Sequence, residues 1–330
     1  MRLSETVCAT KVTELFPFRN HRLLVSLLIL FALIAGIWLT ADTLSAPVPR
    51  PIGEPPASLD ARPAQFLSRS GSVIHGWLCP GHVGRGAVPL LHGVRGDRRD
   101  MVSRAEFLHR AGYTVLLIDL QSHGESRGRR ITFGYLESRD VAAALEFLTR
   151  EAPGERIGVI GQSLGAAAFV LAKPRPNVSA LVLEWMYPTI DQAVQDRLRL
   201  HLGWLGPILA PLLELSLEPF LGITPDDLRP IDSMSSVHAP VFILAGTNDE
   251  HTTWKETQAI FDAQSHLSNC GWCLGPRTST CTRSPRRNTN TRSSTILLPT
   301  SRRARAHRAF RLHVHGPLQR LSGVHLRYFE

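Results

Sequence analysis

The chain has 330 residues, 43% of them hydrophobic and 20% charged, which suffices for a membrane anchor plus one domain with a large core. Its five cysteines are an odd number without a regular framework, which argues against a disulfide-stapled fold. The net charge of +9 comes from the end of the chain. Residues 266–330 hold 12 Arg, no Lys and one acidic residue, whereas residues 1–265 hold 25 basic and 27 acidic residues and are nearly neutral. Without a recognised module or interleaved aromatic residues in that tail, no nucleic-acid partner is expected.

The first predicted element is an apolar helix. Residues 23–39 contain no charged side chain and a single serine, a length at the lower limit for crossing a bilayer. Two preceding arginines predict that residues 1–22 lie in the cytoplasm and the rest of the chain outside. The alternatives are a cleavable signal peptide and a buried core helix, but no convincing cleavage site precedes Ala46 and the run is apolar on every face. We predict an uncleaved single-pass anchor in the cytoplasmic membrane over residues 23–41.

Residues 42–63 form a predicted linker in which six prolines favour extended, semi-rigid backbone. The domain is predicted over residues 64–265, where short β-branched or apolar runs alternate with helical spacing. This alternation predicts an α/β fold with a mostly parallel sheet covered on both faces. The predicted strands are Val73–Cys79 after a turn at Ser70–Ser72, Ala87–Leu91, Tyr113–Asp119, Arg156–Gly161, Ala180–Leu183 and Pro240–Leu244, and the predicted helices are Met101–Gly112, Glu137–Thr149 and Ser163–Ala172.

The alternation stops over residues 185–237, which are rich in leucine. Pro207 and Pro211 are predicted to break this stretch into short helices. The segment is either a lid inserted over the site or a helical pair that completes the core.

The strongest chemical motif is Gly161-Gln162-Ser163-Leu164-Gly165 between a predicted strand and a small-residue helix. A sharp turn there would expose the Ser163 hydroxyl above the sheet edge as a nucleophile, and a Cβ at either glycine would crowd the strand or the helix.

Acyl transfer also needs fixed N–H donors for the developing oxyanion. The turn after His92-Gly93 can supply the Val94 amide, and the residue after the nucleophile supplies the Leu164 amide. The His92 side chain itself is interpreted as a structural brace of its loop.

A third motif is Gly246-Thr247-Asn248-Asp249, directly after the last predicted strand of the domain. A carboxylate at that strand end can orient a catalytic histidine, so Asp249 is the predicted acid. Glu250 is a local competitor, and Asp232 is interpreted as structural.

These motifs, in this order, resemble the α/β-hydrolase superfamily, in its serine-aminopeptidase-like and lysophospholipase-like branch with membrane-tethered bacterial members. The resemblance covers about Ser68 to Gln264 and includes Asp119-Leu120-Gln121-Ser122-His123-Gly124-Glu125-Ser126, similar to a family loop written D-x-x-G-H-G-x-S. It implies a serine esterase, lipase or peptidase that needs no cofactor or metal and takes a small-molecule or lipid-like acyl substrate. The sequence departs from the pattern at Gln121, often Arg in the family, and at Arg95–Arg99, where a Gly/Asn-rich loop is usual.

The resemblance fails over residues 266–330. The superfamily places a strand, a small residue and then its catalytic histidine after the acid, but the five histidines of this tail stand in no such context, so the catalytic histidine is unknown. Cys270 and Cys273 resemble a redox pair, which the following Gly275-Pro276 argues against because the pair should open a helix. We expect no strand here and a disordered C-terminal part.

A shifted reading frame accounts for this tail. GC-rich codons from Asn269 onward, read two bases later, give Leu-Trp-Val-Val-Pro-Gly-Ala-Ala-His-Val-Asp-Leu, which holds a strand, a turn and a histidine in the family's order. Three lysines against 34 arginines indicate a GC-rich gene. Residues 266–330 are therefore interpreted as an aberrant basic tail that follows a frameshift near Gln264.

The predicted function is hydrolysis of a carboxylic ester, with a peptide or amide as the alternative substrate class, through an acyl-enzyme on Ser163. The alternative is a catalytically impaired, non-enzymatic membrane-anchored protein of the same fold that lacks a positioned histidine.

Overall fold

The computed structural model describes residues 19–246, 251–264, 271–275 and 282–283 of the chain. The strands are β1 (Val48–Pro49), β2 (Arg62–Leu67), β3 (Val73–Cys79), β4 (Ala87–Leu91), β5 (Thr114–Ile118), β6 (His123–Gly124), β7 (Gly158–Gln162), β8 (Ala180–Glu184), β9 (Val241–Gly246), β10 (Gly271–Gly275) and β11 (Thr282–Arg283). The α-helices are α1 (Arg19–Ser45), α2 (Val102–Arg110), α3 (Glu137–Glu151), α4 (Leu164–Leu171), α5 (Ile190–Leu202), α6 (Gly206–Glu214), α7 (Leu217–Leu221), α8 (Pro230–Ser233) and α9 (Trp254–Asp262).

The described residues build a large mixed sheet in the order β11-β10-β9-β8-β7-β4-β5-β3-β2. The strands from β10 to β5 in this order run parallel, and antiparallel strands close each side. The carboxyl ends of β4, β7, β8 and β9 therefore meet at one edge, which is where ligands bind in α/β folds. The α/β-hydrolase fold with a mostly parallel sheet is confirmed.

Helices cover both faces of this sheet. On one face, α3, α4 and α9 bury side chains such as Val141, Phe169 and Phe261 against the central strands. On the other face, α2 packs Ala105 and Leu108 against β3, β4 and β5. The strands between them are apolar on both sides: every residue of β4 and β5 is buried, as expected of parallel strands between two helical layers.

The predicted anchor is part of α1, which is longer than predicted. The span His21–Ser45 has a mean hydropathy of 2.7, and its apolar window is wholly exposed, so α1 is not a core helix of the domain. By length and composition it can cross a membrane, a test that a signal sequence near the N-terminus also passes.

The proline-rich segment after α1 packs on the domain rather than spacing it from the helix. Val48 N–H donates to Ser122 O at 2.7 Å and Arg50 N–H to Gly124 O at 2.8 Å. Leu59 is buried in the core beneath the α2 face. The domain thus includes part of the predicted linker.

Four helices, α5 to α8, occupy the interruption over residues 185–237. Pro207 stands at the start of α6, but Pro211 lies inside it, so the prediction that both prolines break the helix is wrong for Pro211. Ile190, Leu217 and Leu228 form a small cluster of their own, separate from the two sheet-facing cores. Residues near both ends of the stretch, Met186 and Met234 among them, belong to the larger core, and the lid stays a prediction.

A strand does form in the tail, so the prediction that none follows residue 266 is wrong. β10 pairs parallel with β9, with Trp272 opposite Ile243, and β11 pairs antiparallel with β10. Unpaired backbone groups along β9 would otherwise leave an open sheet edge. Backbone pairing needs no side-chain periodicity, which is why the sequence pattern showed no strand. The rest of the predicted disordered tail lies outside the described residues.

Candidate active site

Ser163 is the single residue between β7 and α4, and it forms a turn with φ 48° and ψ −106°. A non-glycine residue in this region is strained, and such strain is typical of functional positions. Ser163 N–H donates to Glu184 O at 2.7 Å, which fixes the turn to the end of β8. The side chain is partly exposed at the carboxyl edge of the sheet. The turn therefore holds Ser163 at the edge of the sheet where ligands bind in α/β folds.

The two flanking glycines are required by close packing. A Cβ on Gly161 would lie 2.7 Å from Ala166 N, in the first turn of α4. A Cβ on Gly165 would lie 2.6 Å from Leu91 O, at the end of β4. Both distances are too short for real contacts, so the small residues let strand and helix approach closely enough to form the sharp turn.

The loop after β4 lies directly against this turn. Gly165 N–H donates to His92 O at 3.1 Å, and a Cβ on Gly93 would lie 3.7 Å from Ser163 Cβ. Among the residues that the structure describes, no acceptor is found for the amides of Val94 and Leu164. The first amides of a helix have no intrahelical partner, so Leu164 N–H is available to a ligand. Leu164 thus follows Ser163 directly and the loop that carries Val94 lies against the Ser163 turn, while the oxyanion role of the two amides stays a prediction.

Two buried histidines brace these loops. His92 Nδ1 contacts Gly93 O at 2.7 Å, and its Nε2 accepts from Leu120 N–H at 3.0 Å. His123 Nδ1 contacts Gln121 O at 2.9 Å, and its Nε2 accepts from Arg95 N–H at 3.0 Å. Each ring therefore carries its proton on Nδ1 and is neutral. The bracing role predicted for His92 agrees with these contacts, and His123 is a second brace that the sequence analysis did not identify.

Burial sets the protonation of both rings. Desolvation lowers the pKa of His92 to about 4, against a smaller raising effect of its bond to Gly93. Desolvation also lowers the pKa of His123 to about 4, and the neighbouring His92 lowers it further. The two rings meet edge to face with centroids 5.0 Å apart. With both nitrogens engaged by backbone groups, neither histidine can take a proton from Ser163.

The arginine-rich loop that departs from the family pattern is held by buried ion pairs. Arg98, with 2% of its surface exposed, bonds to Asp119 Oδ2 at 2.6 Å and to Glu125. Its guanidinium lies 4.6 Å from the centroid of the Trp77 ring. Arg99 pairs with Asp97 at 2.8 Å. The loop therefore differs from the Gly/Asn-rich loop expected here, because ion pairs of its arginines attach it to the sheet.

The second departure, Gln121, is also built into the interior. Its Nε2 donates to Glu137 Oε1 at 2.6 Å and to Arg130 O at 2.7 Å. Its N–H donates to Asp140 Oδ2 at 2.9 Å. Desolvation raises the pKa of Asp140 to about 7, against lowering bonds from Ser68 and Ser70. Gln121 thus links the buried carboxyl groups of Glu137 and Asp140, the first through its side-chain amide and the second through its backbone N–H.

Glu184 is a buried carboxylate next to the nucleophile that the sequence analysis missed. Arg104 forms a bidentate ion pair with it, donating from Nε to Oε1 at 3.0 Å and from Nη2 to Oε2 at 2.5 Å. Because both oxygens are occupied by one guanidinium, Glu184 is placed to support the turn rather than to orient a histidine. Its position as the last residue of β8 is the signal that could have identified it.

The predicted acid, Asp249, and its competitor Glu250 lie outside the described residues. β9 ends at Gly246, two strands from β7, so the chain leaves the sheet at the same edge as Ser163. Asp232 lies in α8 and pairs with Arg229 at 2.6 Å, consistent with the structural role assigned to it. The histidines at 266, 307, 313, 315 and 325 also lie outside the described part of the chain.

Comparisons with known proteins agree with this geometry. The family model of serine aminopeptidase, S33, matches residues 83–217. An uncharacterized protein of Mycobacterium tuberculosis is 32% identical over 212 residues, covering 62% of this chain and 67% of the relative. The uncharacterized protein YfhR of Salmonella typhimurium is 27% identical over 257 residues, covering 73% and 83%.

Among solved structures, an esterase of Pyrococcus furiosus matches with a TM-score of 0.58 and 25% identity, covering 71% of this chain and 89% of that one. Sheet order, the strand-turn-helix around Ser163 and these relatives lead to one classification. The chain belongs to the α/β-hydrolase superfamily, and it is a hydrolase of the α/β type.

Proposed function

We propose that the protein is a serine hydrolase that cleaves a carboxylic ester, with a peptide or amide as the alternative substrate, through an acyl-enzyme on Ser163. The observation that carries this proposal is the strained turn that holds Ser163 at the carboxyl edge of the sheet, directly before α4. The proposal adds that the amides of Val94 and Leu164 bind the oxyanion. The Pyrococcus furiosus neighbour, an esterase, supports an ester substrate. The matching family model, a serine aminopeptidase, supports the same acyl-transfer chemistry.

In the proposed reaction, Ser163 Oγ attacks the carbonyl carbon while its proton passes to a histidine oriented by Asp249. The amides of Val94 and Leu164 donate hydrogen bonds to the oxyanion. When the intermediate collapses, the C–O bond breaks, the alcohol leaves with the proton from the imidazolium, and the acyl group stays on Ser163. Water then attacks in the same manner and releases the acid.

The position of β10 supports a histidine supplied by the shifted frame. In that frame Trp-Val-Val falls on residues 270–273, which overlap β10, and the histidine falls on the codons of Arg277 and Thr278. β10 runs parallel to β9, with Gly275 opposite Gly246, so both strands end at the same edge of the sheet. Asp249 follows β9 in the sequence, and the shifted-frame histidine follows β10. We propose that a histidine supplied after β10 meets that acid and the nucleophile.

The test compares the full printed chain with a version whose residues from Gln264 onward are restored to the shifted frame. We expect only the restored chain to hydrolyse p-nitrophenyl esters and to react with a fluorophosphonate, and we expect Ser163→Ala to abolish both. Equal activity of the printed chain would show that its own tail supplies the base. A restored chain that is folded yet unreactive would contradict the hydrolase proposal.

A catalytically impaired protein is the second candidate, and the buried histidines favour it for the printed chain. Both His92 and His123 are committed to backbone groups. Without a positioned base, Ser163 keeps the ordinary reactivity of a hydroxyl. If the printed chain and the restored chain both fold and both resist the fluorophosphonate, this candidate is supported over the hydrolase.

We also propose that α1 stays attached as a membrane anchor, with the domain outside the cytoplasmic membrane. The last turn of α1 is built into the domain: Asp42 pairs with Arg130 at 2.7 Å, and Ser45 O accepts from Ile131 N–H at 2.8 Å. Cleavage before Ala46 would remove these contacts. Alkaline carbonate extraction of membranes should leave the protein in the pellet with its N-terminus intact, whereas a shortened soluble form would identify a signal peptide.

A further inference from the structure

We propose that one face of the lid helices inserts into the outer leaflet of the membrane that holds α1. This lid face consists of Trp204, Leu205, Ile208, Leu212 and Leu215, on the 3₁₀ turn Gly203–Leu205 and on or just after α6. The inference rests on the proposed anchoring by α1. It adds that the lid lies in the lipid, so that acyl substrates reach the site from the leaflet.

The helix α6 is apolar on its outer side as well as its inner side. Ala210 and Leu213 face inward and are buried. On the outside, Ile208 is 61% exposed and Leu215 is 74% exposed, at the spacing of one helix face. A helix on a water-soluble surface carries polar side chains on that face. The turn before it adds Trp204, 76% exposed, so the large apolar residues form a continuous patch rather than isolated ones.

The lid face adjoins the segment that the bilayer covers, because α1 packs against α6 and α7. The contact is aromatic: the ring centroids of Trp38 and Phe220 lie 4.7 Å apart. Trp38 lies near the C-terminal end of the apolar run of α1. In the proposed membrane, this contact therefore places α7 at the level of the bilayer where that run ends. Tryptophan at such a level is typical of the membrane interface.

Polar contacts mark where the apolar zone ends. Arg130 pairs with Asp42 and places its guanidinium 5.4 Å from the Phe220 ring centroid. Arg95 donates from Nη1 to Thr43 O at 3.1 Å. From Trp38 to Asp42 is about one helical turn, roughly 6 Å along the axis. Interfacial helices bury their apolar faces to a depth of about 5–10 Å, which matches the position of α6 and α7 beside the end of α1.

The contact of α1 with the lid helices favours lipid as the molecule that covers the lid face. Exposed side chains of α1, such as Leu39, and those of the lid face belong to elements that touch each other. A bilayer around α1 therefore meets the lid face without any further partner. Burial of such side chains removes apolar area from water at about 25 cal/mol per Å².

The test uses the full chain in phosphatidylcholine vesicles whose acyl chains carry bromine near the carbonyl, which quenches nearby tryptophans. Three variants each remove one ring: Trp38→Phe in the anchor, Trp204→Phe in the lid face, and Trp254→Phe in α9. Trp254 is a matched control because it is 47% exposed on a helix that packs on β9. We expect the amount of emission lost to bromine to decrease in the first two variants and to stay unchanged in the third.

The outcomes separate the lid from the anchor. If Trp38→Phe reduces the quenching and Trp204→Phe does not, α1 is inserted and the lid inference is wrong. If neither reduces it, both the anchor and the lid inference are wrong. If Trp204 is shielded from aqueous iodide but not quenched by the lipid, another protein surface, such as a second copy of the chain, covers the lid face and the inference is overturned.

Discussion

A single strained residue carries the proposed chemistry. Ser163 has a positive φ that its side chain disfavours, and the surroundings maintain it through Glu184 O and the close approach of Gly161 and Gly165. Strain of this kind costs about 1–3 kcal/mol. We infer that this strain is the cost of holding the Ser163 hydroxyl at the sheet edge, because an unstrained backbone would turn the side chain elsewhere.

Substitution at Ser163 measures this strain. Glycine has no Cβ and adopts φ 48° freely, whereas alanine keeps the Cβ. We expect Ser163→Gly to be more stable than Ser163→Ala by about 1 kcal/mol. Urea unfolding of the two variants compares them directly, since both lack the hydroxyl. Equal midpoints would show that the turn is unstrained.

Buried ionisable groups predict how stability changes with pH. The pKa values of His92 and His123 are lowered to about 4 by burial, against an ordinary value of 6.5. Between these values the unfolded chain binds protons that the folded chain does not, so stability falls as pH decreases from about 6.5 to 4. Each histidine contributes at most about 1.4 kcal/mol per pH unit.

Asp140 acts in the opposite direction. Its pKa is raised to about 7 from 3.8, mainly by burial, so its neutral folded form loses stability as pH rises through this range. Asp140→Asn removes that opposing effect while the amide oxygen can still accept from Gln121 N–H. We expect the variant to lose stability on acidification from pH 7 to 4 more steeply than the parent chain. Urea midpoints at four or five pH values give both slopes, and parallel slopes would exclude a neutral buried Asp140.

Among the elements, the loop after β4 is stabilised by charge rather than by apolar burial. Arg98 is buried against Asp119, which has no exposed surface, and stacks on Trp77. Burial raises the pKa of Asp119, and Arg98 opposes that rise. Removing one partner of such a pair leaves an uncompensated charge in the interior.

We therefore expect Arg98→Ala to reduce the free energy of unfolding by about 3–5 kcal/mol. Arg69→Ala is the matched control, because Arg69 and Glu146 form an exposed pair at 3.9 Å that should contribute about 0–1 kcal/mol. Thermal and urea unfolding of both variants measure the difference. A similar small effect of both substitutions would mean that water reaches Asp119 when Arg98 is absent.

The same elements show which features the sequence could predict. The strands Val73–Cys79 and Ala87–Leu91 match their predicted limits because apolar content and turn residues define both ends. The burial of Arg98 could not be predicted, since its partner Asp119 is distant in sequence and a charged run normally lies in solvent. β10 was missed because its neighbour β9, not its own pattern, makes it a strand. The acid Asp249 and the catalytic histidine remain predictions.

At the scale of the whole molecule, the proposal fixes an orientation across the membrane. The arginines at 19 and 22 precede α1 and favour a cytoplasmic N-terminus. In a bacterial host, protease added to intact spheroplasts should digest the domain and leave α1 with its cytoplasmic flank. Lysis before digestion should degrade that flank as well. A full-length chain that resists protease until lysis contradicts this orientation.

The docked end of α1 also governs which molecules the enzyme can meet. A free proline-rich linker over residues 46–63 would reach about 50 Å from the bilayer, and the site would sweep a broad volume. Instead Arg95, next to the proposed oxyanion donor Val94, donates to Thr43 O in the last turn of α1, so the proposed anchor would keep the site at one height. With α1 in a membrane, as proposed, its encounters become a search in two dimensions among molecules that diffuse within the leaflet.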